Sequence, residues 1–134
     1  MAQNERIRRI VVEKDLSRPI GPYSHAVVAG GFAFVSGQGP KDASTGKFVS
    51  GRIREQTEQT MRNILTVLNS LGLDFSDVVK VNAYLRDIKD FQAFNEAYDG
   101  FFDGDALPAR TTLQAVLPKE EMLVEIEAVA KMKP

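Results

Sequence analysis

The sequence predicts a two-layer α+β domain in which two helices cover one face of a mixed β-sheet. The patterns along the chain follow the order β-β-β-α-β-α-β-β, judged from alternating and helical spacing of apolar residues. Each helical segment has one apolar stripe and each of the last three strands has one apolar face, so packing helices on one side of the sheet buries both. At 134 residues, 43% of them hydrophobic, the chain is expected to form a single domain over residues 1–134.

The first part of the chain is predicted to be rich in β-structure. Residues 6–13 have the pattern of a first strand. Residues 24–29 and 32–36 have the pattern of two strands joined by a tight turn at Gly30-Gly31. Residues 38–51, which contain proline and glycine, are predicted to be a loop.

The middle of the chain changes to a helical period. A long helix is predicted over residues 52–71, and Gly72 is expected to end it. A strand over residues 77–87 and a second helix over residues 90–102 follow, and the aromatic stripe of the second helix is assigned to the core. The recurring positions of the long helix are Ile53, Thr57, Met61, Ile64, Leu68 and Leu71.

The last two strands, predicted over residues 109–117 and 123–130, alternate in the same way. Arg110 and Thr112 share a face of the first, and Glu125 points to one face of the second. If the two segments pair as neighbours around a short turn, a guanidinium and a carboxylate lie on one sheet face over a hydroxyl. That arrangement would suit a small carboxylate-bearing molecule and a water. The same alternation is also what any half-buried antiparallel sheet shows, so an ordinary solvent-facing sheet remains an alternative.

The sheet face opposite the helices has no segment left to cover it. Either water or another subunit must do so, and the second option would put polar groups and a site at a subunit boundary. The side chains expected on this face are Lys80, Asn82, Tyr84, Thr112, Gln114, Glu127, Val116 and Val129.

Composition excludes several classes of function. Seventeen Lys and Arg against eighteen Asp and Glu give a net charge of −1, so nucleic acid is not an expected partner. No apolar run approaches the roughly 18 residues that span a bilayer, and the first residues lack the apolar stretch of a signal peptide. There is no cysteine for a disulfide, a thiolate nucleophile or a thiolate metal site. We therefore expect a cytoplasmic protein that does not bind membranes.

Three local motifs are not interpreted as sites. His25 is the only histidine, so no metal is expected, and His25 is predicted to be a partly exposed loop or strand residue. The Gly37-Gln38-Gly39 stretch has no third glycine opening a helix, which excludes a dinucleotide-binding motif. The acidic stretch Asp103-Gly104-Asp105 lacks the spacing of a calcium-binding EF-hand loop.

Five stretches carry a resemblance to a known family. They are IGPYSHAV near the start, FVSGQ after the predicted hairpin, FQAFNEAYDGFF in the second helix, and LPART and VEIEAVA in the last two strands. In this order and spacing the chain resembles the RidA (YjgF) family of reactive-intermediate deaminases along nearly its whole length. The resemblance implies a chorismate-mutase-like homotrimer with sites in the clefts between subunits.

The resemblance also implies an activity, the hydrolysis of 2-imino or enamine acids such as 2-aminoacrylate to 2-keto acids and ammonia, with no cofactor. Arg110 would bind the substrate carboxylate, and Glu125 would orient and activate the water. Thr112 stands where many members carry cysteine, and a hydroxyl can still hydrogen-bond to water. The sequence departs from the family pattern in two further ways, which are Thr111 after the arginine and a shortened segment before Arg110. Because of these three departures, the identity of the substrate stays open.

The remaining pocket positions implied by the resemblance are Tyr23, Ser36, Gly37 and Asn95. Two alternatives to the deaminase stay open. One is an endoribonuclease or translation-inhibitor-like protein, and the other is a non-catalytic trimer that binds small carboxylates or acts like a chaperone.

Overall fold

The computed structural model describes residues 6–134 and confirms the predicted α+β fold, with two helices packed on one face of a mixed sheet. No helix in this part of the chain is both long and apolar enough to cross a membrane. The elements are β1 (Arg8–Ile10), β2 (Ala26–Ala29), β3 (Phe32–Gln38), β4 (Lys41–Asp42), β5 (Lys47–Phe48), α1 (Ile53–Ser70), β6 (Val78–Leu85), α2 (Phe91–Asp99), β7 (Ala109–Gln114) and β8 (Val124–Lys131).

The main sheet has six strands in the order β1-β2-β3-β8-β6-β7. The β6–β7 pair is parallel and the other neighbouring pairs are antiparallel. The predicted β2–β3 hairpin is present, with positive φ at both Gly30 and Gly31. Within the segment predicted to be a loop, β4 and β5 form a small separate hairpin.

The core lies between the helices and the inward face of the sheet. In α1, Met61, Ile64 and Leu68 are almost fully buried, as the helical period predicts. They pack over the inward residues of β3, β6 and β8, where buried and partly exposed residues alternate as in any sheet with one covered face. The core residues of β8 are Val124, Ile126, Ala128 and Ala130.

The predicted pairing of the last two strands is wrong. β7 pairs with β6, while β8 lies between β3 and β6 in the middle of the sheet. The β6–α2–β7 connection crosses over the sheet and returns parallel to β6, which places β7 at the edge. The central position suits β8, whose inward-facing residues are all buried, better than β7, which has no buried residue.

This topology also reverses the predicted face of β7. Arg110 is in register with Val81 and Thr112 with Ala83, and both β6 partners are buried beneath the helices. Glu125 is in register with Tyr84, on the opposite, open face. Arg110 and Glu125 therefore lie on opposite sides of the sheet.

The open face keeps part of its predicted composition. Lys80, Asn82, Tyr84, Glu127 and Val129 lie there, as the register between β6 and β8 shows. Thr112 and Gln114 do not, because Thr111 and Leu113 take the outward positions of β7, and Val116 lies beyond the strand.

Two buried polar residues of α1 form hydrogen bonds to the backbone of neighbouring loops. Gln56, 3% exposed, donates from Nε2 to the carbonyls of Val49 (3.1 Å) and Glu121 (2.8 Å) and accepts from Leu123 N–H (2.7 Å). Asn63 donates from Nδ2 to two carbonyls, that of Gly39 just before β4 and that of Lys41 within β4. The helix thus satisfies backbone groups of two loops that are distant from each other in sequence.

Replacing Gln56 with Ala should reduce the free energy of unfolding by about 2–4 kcal/mol, because the truncation leaves one N–H and two carbonyls without partners. Chemical denaturation monitored by circular dichroism measures the change. The matched control is Gln92→Ala on the exposed side of α2, which should stay within about 0.5 kcal/mol of the wild type. Equal stabilities for the two variants would contradict the assigned role of Gln56.

Candidate active site

A cavity of about 540 Å³ opens beside the end of β3 and the start of β8, a volume within the range of small-ligand sites. The β4–β5 hairpin and the segment between β1 and β2 complete its walls. Four of the residues predicted to form the site line it: Tyr23, Ser36, Gly37 and Glu125. We call this set the carboxylate half-site.

A bulge in β3 shapes the carboxylate half-site. Val35 is in register with Ala128 and Gln38 with Ile126, so β3 has one residue more than β8 over this stretch. Gly37 lies within the bulge. A Cβ atom there would collide with the carboxylate of Glu125, so glycine is what allows the carboxylate to lie against the β3 backbone.

Glu125 is a half-buried acid without a close cation. Burial raises the pKa of its carboxyl group, and the neighbouring Glu127 raises it further. Among residues 6–134, no Lys, Arg or His nitrogen lies within 4.0 Å of its oxygens. A carboxylate that is poorly solvated and not neutralised by a partner is a stronger base than a surface glutamate, as proton transfer near neutral pH requires.

The side chains of Tyr23 and Ser36 each form a hydrogen bond to a backbone group. The Tyr23 hydroxyl accepts from Ile20 N–H at 3.3 Å, and the residue is 43% exposed. Ser36 Oγ donates to the Ser24 carbonyl at 2.7 Å, which leaves its lone pairs available to accept.

The other three predicted residues, Asn95, Arg110 and Thr112, lie on the helix side of the sheet, and we call them the arginine half-site. Arg110 Nη2 donates to Asn95 Oδ1 at 2.7 Å. The Arg110 guanidinium also lies 4.8 Å from the ring centre of Tyr98, with two phenylalanine rings of α2 slightly farther away. This aromatic stripe, predicted to be core, is thus also the surface that holds the arginine by cation–π contacts.

Several polar groups of the arginine half-site have no partner among the described residues. No carboxylate of residues 6–134 lies within 4.0 Å of Arg110. The hydroxyl oxygens of Thr112 and Tyr98 are buried without a hydrogen-bond partner in the same part of the chain. Burial raises the pKa of Tyr98 to about 12, and Arg110 opposes this rise, although no hydrogen bond of good geometry joins the two side chains. Buried groups left in this state are costly unless a partner satisfies them.

The structure therefore gathers the predicted residues into two groups rather than one. The sheet separates Arg110 from Glu125, and none of the arginine half-site lines the cavity. The prediction that the two side chains share a sheet face is wrong. A ligand in the cavity of one chain can reach Glu125 but not the Arg110 of that chain.

His25 also differs from its prediction, because it is 1% exposed rather than partly exposed. Its Nδ1 accepts from Val12 N–H at 2.8 Å and its Nε2 donates to the Ser17 carbonyl at 2.9 Å, which requires the neutral tautomer with hydrogen on Nε2. His25 thereby ties the segment after β1 to β2 and forms one wall of the cavity.

Lys41 and Phe48 of the small hairpin also line the cavity, and neither was predicted to do so. They lie directly opposite each other in the β4–β5 register. The only sequence signal was the turn around Gly46, which could have indicated a hairpin within the predicted loop.

Comparison with known proteins finds relatives of the same family over most of the chain. The family model described as Endoribonuclease L-PSP matches residues 14–132. A RutC family protein of Pyrococcus horikoshii is 40% identical over 92% of this chain and 98% of its own, and the human 2-iminobutanoate/2-iminopropanoate deaminase is 41% identical over 96% and 93%. The crystal structure of E. coli TdcF with bound serine is 30% identical, with a TM-score of 0.85 over 94% of this chain and 100% of that one. The chain therefore belongs to the Endoribonuclease L-PSP family, also known as the RidA (YjgF) family.

Proposed function

We propose that this protein hydrolyses reactive 2-imino acids and their enamine tautomers, such as 2-aminoacrylate, to 2-keto acids and ammonia. The observation that carries the proposal is the half-buried carboxyl of Glu125, which lies in a cavity with a raised pKa and no cation beside it. Such a group can accept a proton from a bound water. The names of the relatives agree with this reaction, since the human relative is a 2-iminobutanoate/2-iminopropanoate deaminase.

We further propose that each site combines the carboxylate half-site of one copy with the arginine half-site of the next, in a homotrimer. Both half-sites lack a partner within the described part of the chain, and the sheet keeps them apart. The open face also exposes apolar side chains, with Phe34 47% and Leu113 53% exposed. A head-to-tail contact between different surfaces closes into a ring when the rotation allows it, and each contact would then create one complete site.

In this assembly, Arg110 binds the substrate carboxylate. A guanidinium has five N–H donors, and the contact with Asn95 uses one nitrogen, so a two-pronged contact with a carboxylate remains available. A charge-assisted pair of this kind contributes about 1.5–3 kcal/mol. Asn95 and the aromatic rings of α2 act before substrate arrives, by holding the guanidinium in one orientation. TdcF binds serine, which carries a carboxylate on a three-carbon chain.

The hydrolysis then needs one proton acceptor. Glu125 takes a proton from water as the oxygen bonds to the carbon of the protonated imine, giving a carbinolamine. Glu125 returns the proton to the nitrogen, and the C–N bond breaks to release ammonia. The hydroxyl then gives its proton to Glu125 as the carbonyl forms, and Glu125 passes this proton to the departing ammonia. The products are a 2-keto acid and ammonium. Thr112 and Tyr23 would hydrogen-bond the water or the substrate, and Ser36 and Gly37 would form the wall beside Glu125.

No specific observation favours RNA cleavage, the activity in the name of the family model. The single histidine is buried with both ring nitrogens bound to backbone groups, so it is not available as an acid or base for RNA. A trimer that binds small carboxylates without turnover would use the same two half-sites. Product formation separates these alternatives.

Added to an amino-acid oxidase that generates 2-iminobutanoate, the protein should speed keto-acid release and reduce the imine captured by semicarbazide. Because Glu125 is the proton acceptor, Glu125→Gln should lower kcat/KM by about 10²–10⁴. Arg110→Lys should mainly raise KM, because a single ammonium replaces the two-pronged contact. Exposed residues give the matched controls, Glu96→Gln and Arg62→Lys, which should behave as the wild type.

Wild-type protein that leaves the semicarbazone yield at the buffer value across several amino acids would overturn the deaminase proposal. Turnover of RNA under the same conditions would favour the endoribonuclease instead, and tight binding of 2-oxobutanoate without any acceleration would favour the non-catalytic trimer.

Mixing the inactive variants Arg110→Ala and Glu125→Gln, after reversible dissociation, should restore activity. Random mixing of equal amounts gives about one site in four both an intact Arg110 and an intact Glu125 from neighbouring copies, so about a quarter of wild-type activity should return. Assays after refolding the mixture, and each variant alone, measure this recovery. A mixture as inactive as its components would contradict a site shared between copies.

The acid limb of the kcat/KM profile should lie above the pH at which an ordinary glutamate titrates, since the basic form is required and the pKa of Glu125 is raised. Activity is therefore present above that pKa and lost as the pH falls through it. Glu127→Gln should move the limb to lower pH, because the charge of Glu127 is the second cause of the raised pKa. If Glu127→Gln leaves the acid limb at the same pH, the limb reports the titration of a group other than Glu125.

A further inference from the structure

Lys41 places a positive charge in the wall of the cavity, on the hairpin that the sequence did not predict. Its Nζ lies 5.8 Å from the ring centre of Phe48, the residue opposite it in the β4–β5 register. Both side chains line the same cavity as Glu125. The ammonium and the aromatic ring thus lie close together on a hairpin that borders the cavity.

This ammonium has no anionic partner among residues 6–134, since no carboxylate lies within 4.0 Å of it. The other cation in the cavity wall, Arg18, pairs instead with Glu13 at 3.3 Å. Lys41 is thus the cation of the cavity wall that has no ion-pair partner in the described part of the chain.

The backbone of Lys41 is fixed from below by α1. Asn63 Nδ2 donates to the carbonyls of Gly39 and Lys41, both at 2.9 Å, and Asn63 is only 4% exposed. Gln59 Nε2 in turn donates to Asn63 Oδ1 at 3.0 Å. A buried amide that holds the backbone on both sides of Pro40 gives Lys41 a defined origin, as a binding residue needs.

Lys41 and Glu125 reach the cavity from different elements, since Lys41 lies on the β4–β5 hairpin and Glu125 lies near the start of β8. The volume of about 540 Å³ is also far larger than a four-carbon acid requires. There is room for a longer substrate whose reacting carbon lies at Glu125 and whose far end reaches the hairpin.

We propose that Lys41 binds a second acidic group at the end of the substrate side chain, so that the preferred substrates are 2-imino dicarboxylic acids. This inference rests on the proposed function and adds no chemical step to it. Arg110 of the neighbouring copy binds the carboxylate next to the imine, and Lys41 binds the distal one. The Phe48 ring and the side chain of Met122 offer apolar contact to the methylene groups between them.

Two product analogues of similar shape test the proposal by calorimetric titration. They are 2-oxoglutarate and 5-methyl-2-oxohexanoate, in which an isopropyl group replaces the distal carboxylate. The wild type should bind 2-oxoglutarate about two- to fivefold more tightly, the range expected for a partly exposed charge pair. Lys41→Met should remove this preference and Lys41→Glu should invert it. The control Lys47→Met, an exposed lysine on the other strand of the hairpin, should keep it.

The same variants should change the turnover preference in the same direction as the binding preference. The two substrates compared are the imine of glutamate and 2-iminobutanoate. Equal binding of the two analogues by the wild type, or a preference unchanged in Lys41→Met, overturns the role of Lys41 even if 2-iminobutanoate is hydrolysed. If no imine is hydrolysed but the binding preference depends on Lys41, the deaminase proposal fails and the second acidic subsite stands.

Discussion

The parallel pairing of β6 with β7 is the constraint on which the arrangement of the site depends. It places Arg110 beside Val81 and therefore under α2, whereas the antiparallel β6–β8 pairing directs Glu125 to the open face. The aromatic residues of α2 and the amide of Asn95 are available to Arg110 only on the helix side. The bulge and Gly37 are available to Glu125 only at the end of β3. Each charged group is held by its own surroundings and lacks the group it would act with.

Holding these groups has a cost in stability. A half-buried carboxylate with a raised pKa is less favourable in the folded chain than in water, and the unpaired hydroxyls of Thr112 and Tyr98 add to this. The hydrophobic core between α1, α2 and the sheet offsets it, together with the satisfied hydrogen bonds of His25, Gln56 and Asn63. Groups prepared for chemistry are commonly the less stable ones in a fold.

Most of the architecture could be predicted from the sequence, because periodicity reports which face of an element is buried. The long helix was predicted to within one residue at each end, and the order of the eight main elements was correct. Strand order was not accessible in this way. Alternation in β7 shows that Arg110 and Thr112 share a face, but it does not show which strand lies beside them or which face they take.

The candidate residues were named from the family resemblance, whereas their grouping in space could not be predicted from the sequence. Tyr23, Ser36 and Glu125 come from three different elements, and only the β3–β8 pairing brings them to one cavity. The roles of Gln56 and Asn63 could not be predicted, because the loop groups that they bind are distant in sequence. The single histidine was similarly misjudged, since its partners are backbone groups that a sequence does not reveal.

The unmatched charges give the surface of each copy a polarity. A positive group without a counter-ion lies at the edge strand, and a negative one lies across the sheet at the end of β3. Two copies that approached through identical patches would bring like charges together, whereas the edge of one meeting the β3 end of another brings opposite charges together. In the homotrimer that we propose, this imbalance would favour a directional, cyclic order of subunits over a symmetric pair.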